Sequence, residues 1–208
     1  MLKLIWWIGG IVRRMKIALF GGCFNPIHYG HLILAETARE YFHLDKIIFI
    51  PSGKPPHKSI DLAPSFYRYQ MVKLAIANNK YFSHSPVELK RKSKSYTYRT
   101  IEIFKKKYPK DEVFFLVGSD TLFELDTWKK GRAILEFCQF IVGTRPGFLV
   151  EKVDKDILGR VSLFPIPGLD ISGQEIRERT RQGESIKYLV PEEVEKYIYK
   201  NKLYREGV

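Results

Sequence analysis

Cysteine is nearly missing from this 208-residue chain. Cys23 and Cys138 stand far apart, with no Cys-x-x-Cys or His-Glu-x-x-His run anywhere. That excludes a disulfide scaffold and a metal ribbon, and it points to a reducing cytosol as the compartment. Asparagine and glutamine are scarce too, four of each beside abundant Lys, Glu, Tyr and Ile, a bias that hints at a thermophilic source. No apolar run reaches the about 20 residues of a bilayer span. The candidate, Leu2 to Val12, holds Trp6 and Trp7 and is flanked by Lys3 and Arg13-Arg14. It has no Ala-x-Ala-like cleavage site, so residues 1–14 read as an extension or an upstream start, and no membrane partner is expected. Internal repeats and low-complexity tracts are missing. A 45% hydrophobic and 28% charged composition is ordinary for a soluble globular chain. It suits one domain over residues 15–204, with 168–204 as its helical C-terminal part.

The net charge of +12 raises nucleic-acid binding as a reading, because basic surfaces attract polyanions. The Lys and Arg are scattered among Glu along apparent helices, and aromatics do not alternate with them on a stripe. Lys105-Lys106-Lys107 closes a helical run, where cations favour the helix dipole. A basic nucleic-acid-binding module is therefore kept as the alternative from another class, and nucleic acid is not expected as a partner.

Short apolar runs alternate with amphipathic ones. Ile17–Phe20, Lys46–Ile50, Phe82–Leu89, Val113–Val117, Phe137–Val142 and Val161–Phe164 read as strands; the continuous apolar character of Val113–Val117 marks a strand buried on both faces. Gly30–Phe42, Phe66–Ala77, Thr97–Tyr108 and Glu192–Lys200 read as helices, and proline-rich Pro51–Ala63 as a loop. The alternation predicts an α/β fold with a doubly wound parallel sheet. Ligands on such sheets sit beyond the carboxyl ends of the strands, at the switch in strand order.

One junction stands out: Gly21-Gly22-Cys23-Phe24-Asn25-Pro26-Ile27-His28-Tyr29-Gly30-His31. A strand that ends in glycines and runs into a helix start offers backbone N–H groups to a phosphate. Two histidines three apart add donors without a permanent charge, the combination that phosphoryl chemistry uses. A zinc site would need further ligands that the sequence does not supply.

Gly-Gly-x-Phe-x-Pro-x-His-x-Gly-His resembles the signature of the adenylyltransferases of the nucleotidylyltransferase α/β superfamily, which also holds the class I aminoacyl-tRNA synthetases. The superfamily's second signature, Ile-Ser-Ser-Thr-x-Ile-Arg, is matched by Ile171-Ser172-Gly173-Gln174-Glu175-Ile176-Arg177. Pro51 to Lys58, Ser95-Tyr96-Thr97, Gly118-Ser119-Asp120 with Trp128, Arg145-Pro146-Gly147 and the tail from Tyr188-Leu189-Val190-Pro191 follow in order. Together they are similar to the bacterial nicotinate-nucleotide adenylyltransferases over about Met15 to Tyr204. The resemblance implies a Rossmann-like nucleotidylyltransferase fold with a C-terminal helical tail. It also implies transfer of AMP from ATP to nicotinate mononucleotide, with Mg2+ arriving on ATP; homo-oligomerisation stays open. A nicotinamide-mononucleotide enzyme is the nearest alternative. A pantetheine-phosphate adenylyltransferase shares the first motif but lacks this tail.

Carried onto matching positions, the resemblance implies His28, His31 and Arg177 as catalytic donors. Gly21, Gly22, Phe24 and Ser172 join those three at ATP. His57, Lys58, Tyr96, Thr97, Asp120 and Trp128 are implied for the mononucleotide, with the Tyr96 and Thr97 amides at its carboxylate and Trp128 stacking on its ring. Ser172 with Glu175 also forms a capping box, and Asp120 could serve as an N-cap. Cys23, Gly173 and Gln174 occupy places where the family usually carries hydroxyl residues.

Overall fold

The computed structural model describes residues 13–55, 62–91 and 93–205. Six strands form one all-parallel sheet in the order β3-β2-β1-β4-β5-β6. They are β1 (Lys16–Gly22), β2 (Lys46–Pro51), β3 (Phe82–His84), β4 (Glu112–Gly118), β5 (Gln139–Thr144) and β6 (Val161–Pro165). Parallel strands need crossovers, and the chain supplies them through α1 (Tyr29–Tyr41), α2 (Ser65–Ile76), α3 (Thr97–Lys107), α4 (Asp120–Glu124), α5 (Ile134–Phe137) and α6 (Lys155–Leu158). Two further helices, α7 (Gly173–Arg181) and α8 (Glu192–Lys200), follow the last strand. The doubly wound expectation holds.

Both faces of the sheet are covered, which is why its central strands β1, β2 and β4 carry near-continuous apolar runs. In β1, Ala18 and Phe20 join one core with Ile47, Phe49, Leu116 and Ile141, closed by Leu34 and Ala38 of α1, Met71 of α2 and Ile198 of α8. Ile17 and Leu19 point the other way, to Ile48, Phe115, Phe140 and Val142, closed by Ile101 and Phe104 of α3 and Ile134 of α5. The period-two side-chain alternation of a strand thus feeds two separate cores.

Two expected strands differ in extent. Phe82–Leu89 contributes only Phe82–His84, because after the Ser85 amide bonds to Phe49 O at 2.9 Å the next residue, Pro86, has no N–H to continue the ladder. Phe137 ends α5, and β5 begins at Gln139. Among the described residues no helix is long and apolar enough to cross a membrane. Residues 1–12, and with them the Trp6-Trp7 segment, lie outside the described residues.

Candidate active site

The strand order reverses between β1 and β4, where crossovers leave in opposite directions and a crevice opens at the carboxyl ends. Gly21 and Gly22 end β1 there, and Gly118 ends β4. None of the three has a positive φ. For Gly21 and Gly22 the role is space: a Cβ on Gly21 would stand 3.2 Å from the Phe115 ring, and one on Gly22 equally close to the Phe24 ring, whereas one on Gly118 would meet nothing within 4 Å. The left-handed residue of the turn is Phe24, at φ 47°, fully buried and edge-on to Phe20 at 5.4 Å. Phe24 therefore shapes the turn from below and is not a cleft-lining residue.

Two cavities open over this crevice. The first, about 400 Å³, is lined by Gly21, Gly22, His28, His31, Asp120, Arg145, Ser172 and Gly173, among others. The second, about 330 Å³, is lined by Cys23, Ser52, Glu88, Ser95, Tyr96, Thr97 and Lys129. Gly21, Gly22, Thr121 and Trp128 border both. Two ligands placed side by side would meet over the glycine pair.

His28 caps α1 and His31 sits in its first turn. The His28 amide donates to His31 Nδ1 at 3.3 Å, and the two rings lie 3.8 Å apart. His31 also packs against Phe20 and Phe24. Burial, then the Arg145 charge, lowers the His28 pKa from 6.5 to about 4. Burial lowers His31 well below its ordinary value as well, helped by His28 and Arg145. Both rings are therefore neutral at pH 7. With Nδ1 of His31 taken as an acceptor, its single proton is on Nε2. His28 Nδ1 is buried and has no partner among the described residues. Gly30 makes room for this pair: a Cβ there would touch His28 Nδ1 at 3.0 Å.

The second signature meets the first. Ser172 Oγ accepts from the Glu175 amide at 3.0 Å, half of the expected capping box, at the N-terminus of α7. Arg177 Nη1 donates to the Asn25 carbonyl at 2.9 Å, tying α7 to the loop after β1, while its buried Nε has no partner among the described residues. Gly173 lies against the same carbonyl, where a Cβ would come within 3.0 Å. That contact accounts for a glycine at this place. Asn25 Oδ1 accepts from the Ala63 amide and the Tyr204 hydroxyl, so the C-terminal tail holds this loop as well.

On the other side, Tyr96 caps α3 and Thr97 is its first residue, where N–H groups have no intrahelical acceptor. Trp128 is half-buried, edge-on to Phe115 at 6.5 Å. Asp120 is exposed and opens α4, whose cap is Ser119; it lines the first cavity, apart from Tyr96 and Thr97. His57 and Lys58 fall outside the described residues. The structure adds groups to which the sequence reading gave no role. Arg145, exposed at the end of β5, is one. Arg68 is another, fully buried, with bonds of 2.6 Å to Cys23 O and Ser52 O and of 2.8 Å to Ala63 O. Arg145 was legible as part of a matching segment, whereas nothing in the local pattern of α2 marks Arg68 as buried.

Parallel strands around a glycine-lined crevice, neutral imidazoles at a helix start and two cavities sharing one floor define a nucleotide-handling α/β protein. The cytidylyltransferase-like family model matches residues 19–179. A relative from Moorella thermoacetica, named "Probable nicotinate-nucleotide adenylyltransferase", is 43% identical over 204 residues, 94% of each chain. One of the same name from Thermus thermophilus is 41% identical, covering 92% of this chain and all of the relative. Among solved structures, the Plasmodium falciparum nicotinic acid mononucleotide adenylyltransferase complexed with NaAD superposes with a TM-score of 0.77 at 25% identity. The match covers 92% of this chain and 98% of that one. The chain belongs to the cytidylyltransferase-like family and, within it, to the nicotinate-nucleotide adenylyltransferases.

Proposed function

We propose that this protein transfers the adenylyl group of ATP to nicotinate mononucleotide, giving nicotinate adenine dinucleotide and pyrophosphate, a step of NAD biosynthesis. The observation that carries the reading is the pair of cavities sharing the Gly21-Gly22 floor, one with His28 and His31, the other with the α3 start and Trp128. ATP occupies the first cavity and the mononucleotide the second. A phosphate oxygen of the mononucleotide attacks the α-phosphorus of ATP. The bond from that phosphorus to the bridging oxygen breaks, and pyrophosphate carries the electron pair away.

The nucleophile is an anion at pH 7, so no protein nucleophile and no general base is required. The protein's work is to hold two polyanions in line and to meet charge moving onto pyrophosphate. Neutral His28 and His31 donate to the triphosphate, and Arg145 supplies positive charge across the same cavity. Ser172 and the N-terminus of α7 bring further donors. Arg177 fixes the Asn25 turn, and with it the floor. Among the described residues no group of three or more His, Cys, Asp and Glu is placed to hold a metal ion. The donor set suits a magnesium ion carried by the ATP phosphates as part of the substrate, in keeping with that ion's preference for phosphate oxygens and water. In the second cavity, N–H donors at Tyr96 and Thr97 receive the nicotinate carboxylate and Trp128 covers the ring.

Pyrophosphate release from ATP, measured in parallel with nicotinate mononucleotide, nicotinamide mononucleotide and phosphopantetheine, tests the assignment. Release that is fastest with nicotinate mononucleotide is expected. Release with phosphopantetheine alone would overturn it.

A further inference from the structure

The proposed chemistry leaves one buried polar cluster unused, and it forms a wall of the second cavity. Glu88, 6% exposed, lies on the segment between β3 and α3. Its Oε1 accepts from Thr100 Oγ1 of α3 at 2.6 Å. Ser95 Oγ itself accepts from the Gly53 and Lys54 amides, at 3.1 and 3.3 Å, and the Ser95 amide donates to Lys54 O at 2.8 Å. Thr100 Oγ1 accepts from Arg91 Nη1 at 3.3 Å. The approach is so close that a Cβ on Gly53 would lie 2.3 Å from the Glu88 carbonyl oxygen.

We infer that Glu88 and Ser95 are positioning residues for the mononucleotide. Glu88 anchors its segment to α3 through Thr100, and Ser95 locks the Gly53-Lys54 end of the proline-rich loop to the start of α3. A serine hydroxyl has one proton and two lone pairs. Both lone pairs are taken by the Gly53 and Lys54 amides, which hold the oxygen from the loop side. Ser95 directly precedes Tyr96 and Thr97; fixing it fixes where their N–H groups point. A continuous chain of bonds thus joins the two walls between which the mononucleotide would lie. Burial disfavours the charged form of Glu88 and raises its pKa, while the Thr100 hydroxyl and the Arg91 and Arg68 charges oppose that effect. Apolar packing would serve stability at least as well as such a cluster; what the cluster adds is a defined loop position.

This inference rests on the second cavity being the mononucleotide site. Its test compares Glu88→Gln, Ser95→Ala and the double variant with the unaltered protein. KM is measured for nicotinate mononucleotide and for ATP, and hydrogen exchange at the Gly53 and Lys54 amides. Gln keeps the shape of Glu88 but removes one acceptor oxygen. Each single variant is expected to raise KM for the mononucleotide by about threefold to tenfold while KM for ATP moves less than about twofold. The double variant should raise the mononucleotide KM by at least as much as the larger single effect, and the Gly53 and Lys54 amides should exchange faster wherever Ser95 is replaced. An unchanged mononucleotide KM, or an equal rise in both KM values, would overturn the inference. Should Glu88→Gln not fold, Ser95→Ala, which removes a single oxygen, gives the same comparison. Absence of turnover with nicotinate mononucleotide in the unaltered protein would count against the proposed function instead. Amide exchange would then decide the loop-locking claim alone: faster exchange supports it and unchanged exchange overturns it.

Discussion

At the scale of single residues, the account depends on His28 and His31 being neutral donors held by their own backbone. His31 has two jobs on two atoms: Nδ1 accepts from the His28 amide, and Nε2 carries the proton proposed to meet the triphosphate. Asn and Gln separate them. His31→Asn places an acceptor near Nδ1 and removes the outer donor, so kcat/KM should fall by about 10²–10³, the scale of one preorganised donor, with a smaller change in Tm than His31→Ala shows. His31→Gln should retain more activity than His31→Asn; the reverse order would assign His31 a purely structural role. A second consequence concerns acid. Unfolded histidine takes up a proton below about 6.5, whereas folded His28 resists until about 4. The unfolded state therefore binds more protons as pH falls between those values, and stability must fall with pH across that window. Tm measured from pH 7 to pH 4.5 should drop, and His28→Gln should flatten the drop. The histidines and glycines were legible because their motif is contiguous in sequence. Arg68 and Glu88 were not, because their partners are backbone and side-chain groups brought together only by the folded chain. Gly21 and Gly22 were legible as a signal, yet for another reason than turn conformation: they clear the floor and leave the positive φ to Phe24.

At the scale of elements, the N-terminus of α7 is where local rules and site geometry coincide. Ser172→Ala should cost about 1 kcal/mol, as for a lost N-cap, read as a lower midpoint in urea, and should also raise KM for ATP if that helix start meets phosphate. Gly173→Ala presses a Cβ toward the Asn25 carbonyl that Arg177 holds. Overpacking of that kind costs about 1–3 kcal/mol, and a larger loss of activity than Ser172→Ala is expected from the displaced turn. Equal activity with an unchanged melt would show that the loop yields freely. The four helices given bounds in the sequence were legible to within a residue or two, and α8 appears as expected over Glu192–Lys200, because amphipathic spacing and a leading proline mark it in sequence. The edge strand β3 was overestimated, since apolar residues beyond Pro86 signal burial but not ladder pairing. The one-turn helices α5 and α6 escaped notice; four residues carry no period to read.

At the scale of the whole molecule, the site is held by distant pieces of chain: Tyr204 and Arg177 both bond to Asn25. Of the chain before Met15, Arg13 and Arg14 lie within the described residues. Of the contacts from that end, Arg13 makes an ion pair with Asp45 and is largely exposed, and Arg14 reaches Lys110 O. A chain starting at Met15 should keep its activity, and the loss of the exposed Arg13 pair should cost at most about 1 kcal/mol; a collapse of activity or stability would place the upstream segment in the core. The central claim is that the second cavity takes a carboxylate on backbone N–H groups. Nicotinate's carboxylate only accepts, whereas nicotinamide's amide also brings N–H donors. An unmet buried polar group costs about 1–3 kcal/mol, so acid should be preferred over amide by roughly tenfold to a hundredfold. The measurement is kcat/KM for the two mononucleotides at identical ATP and magnesium. The account requires the acid to win by that margin; equal values, or a preference for the amide, would contradict it.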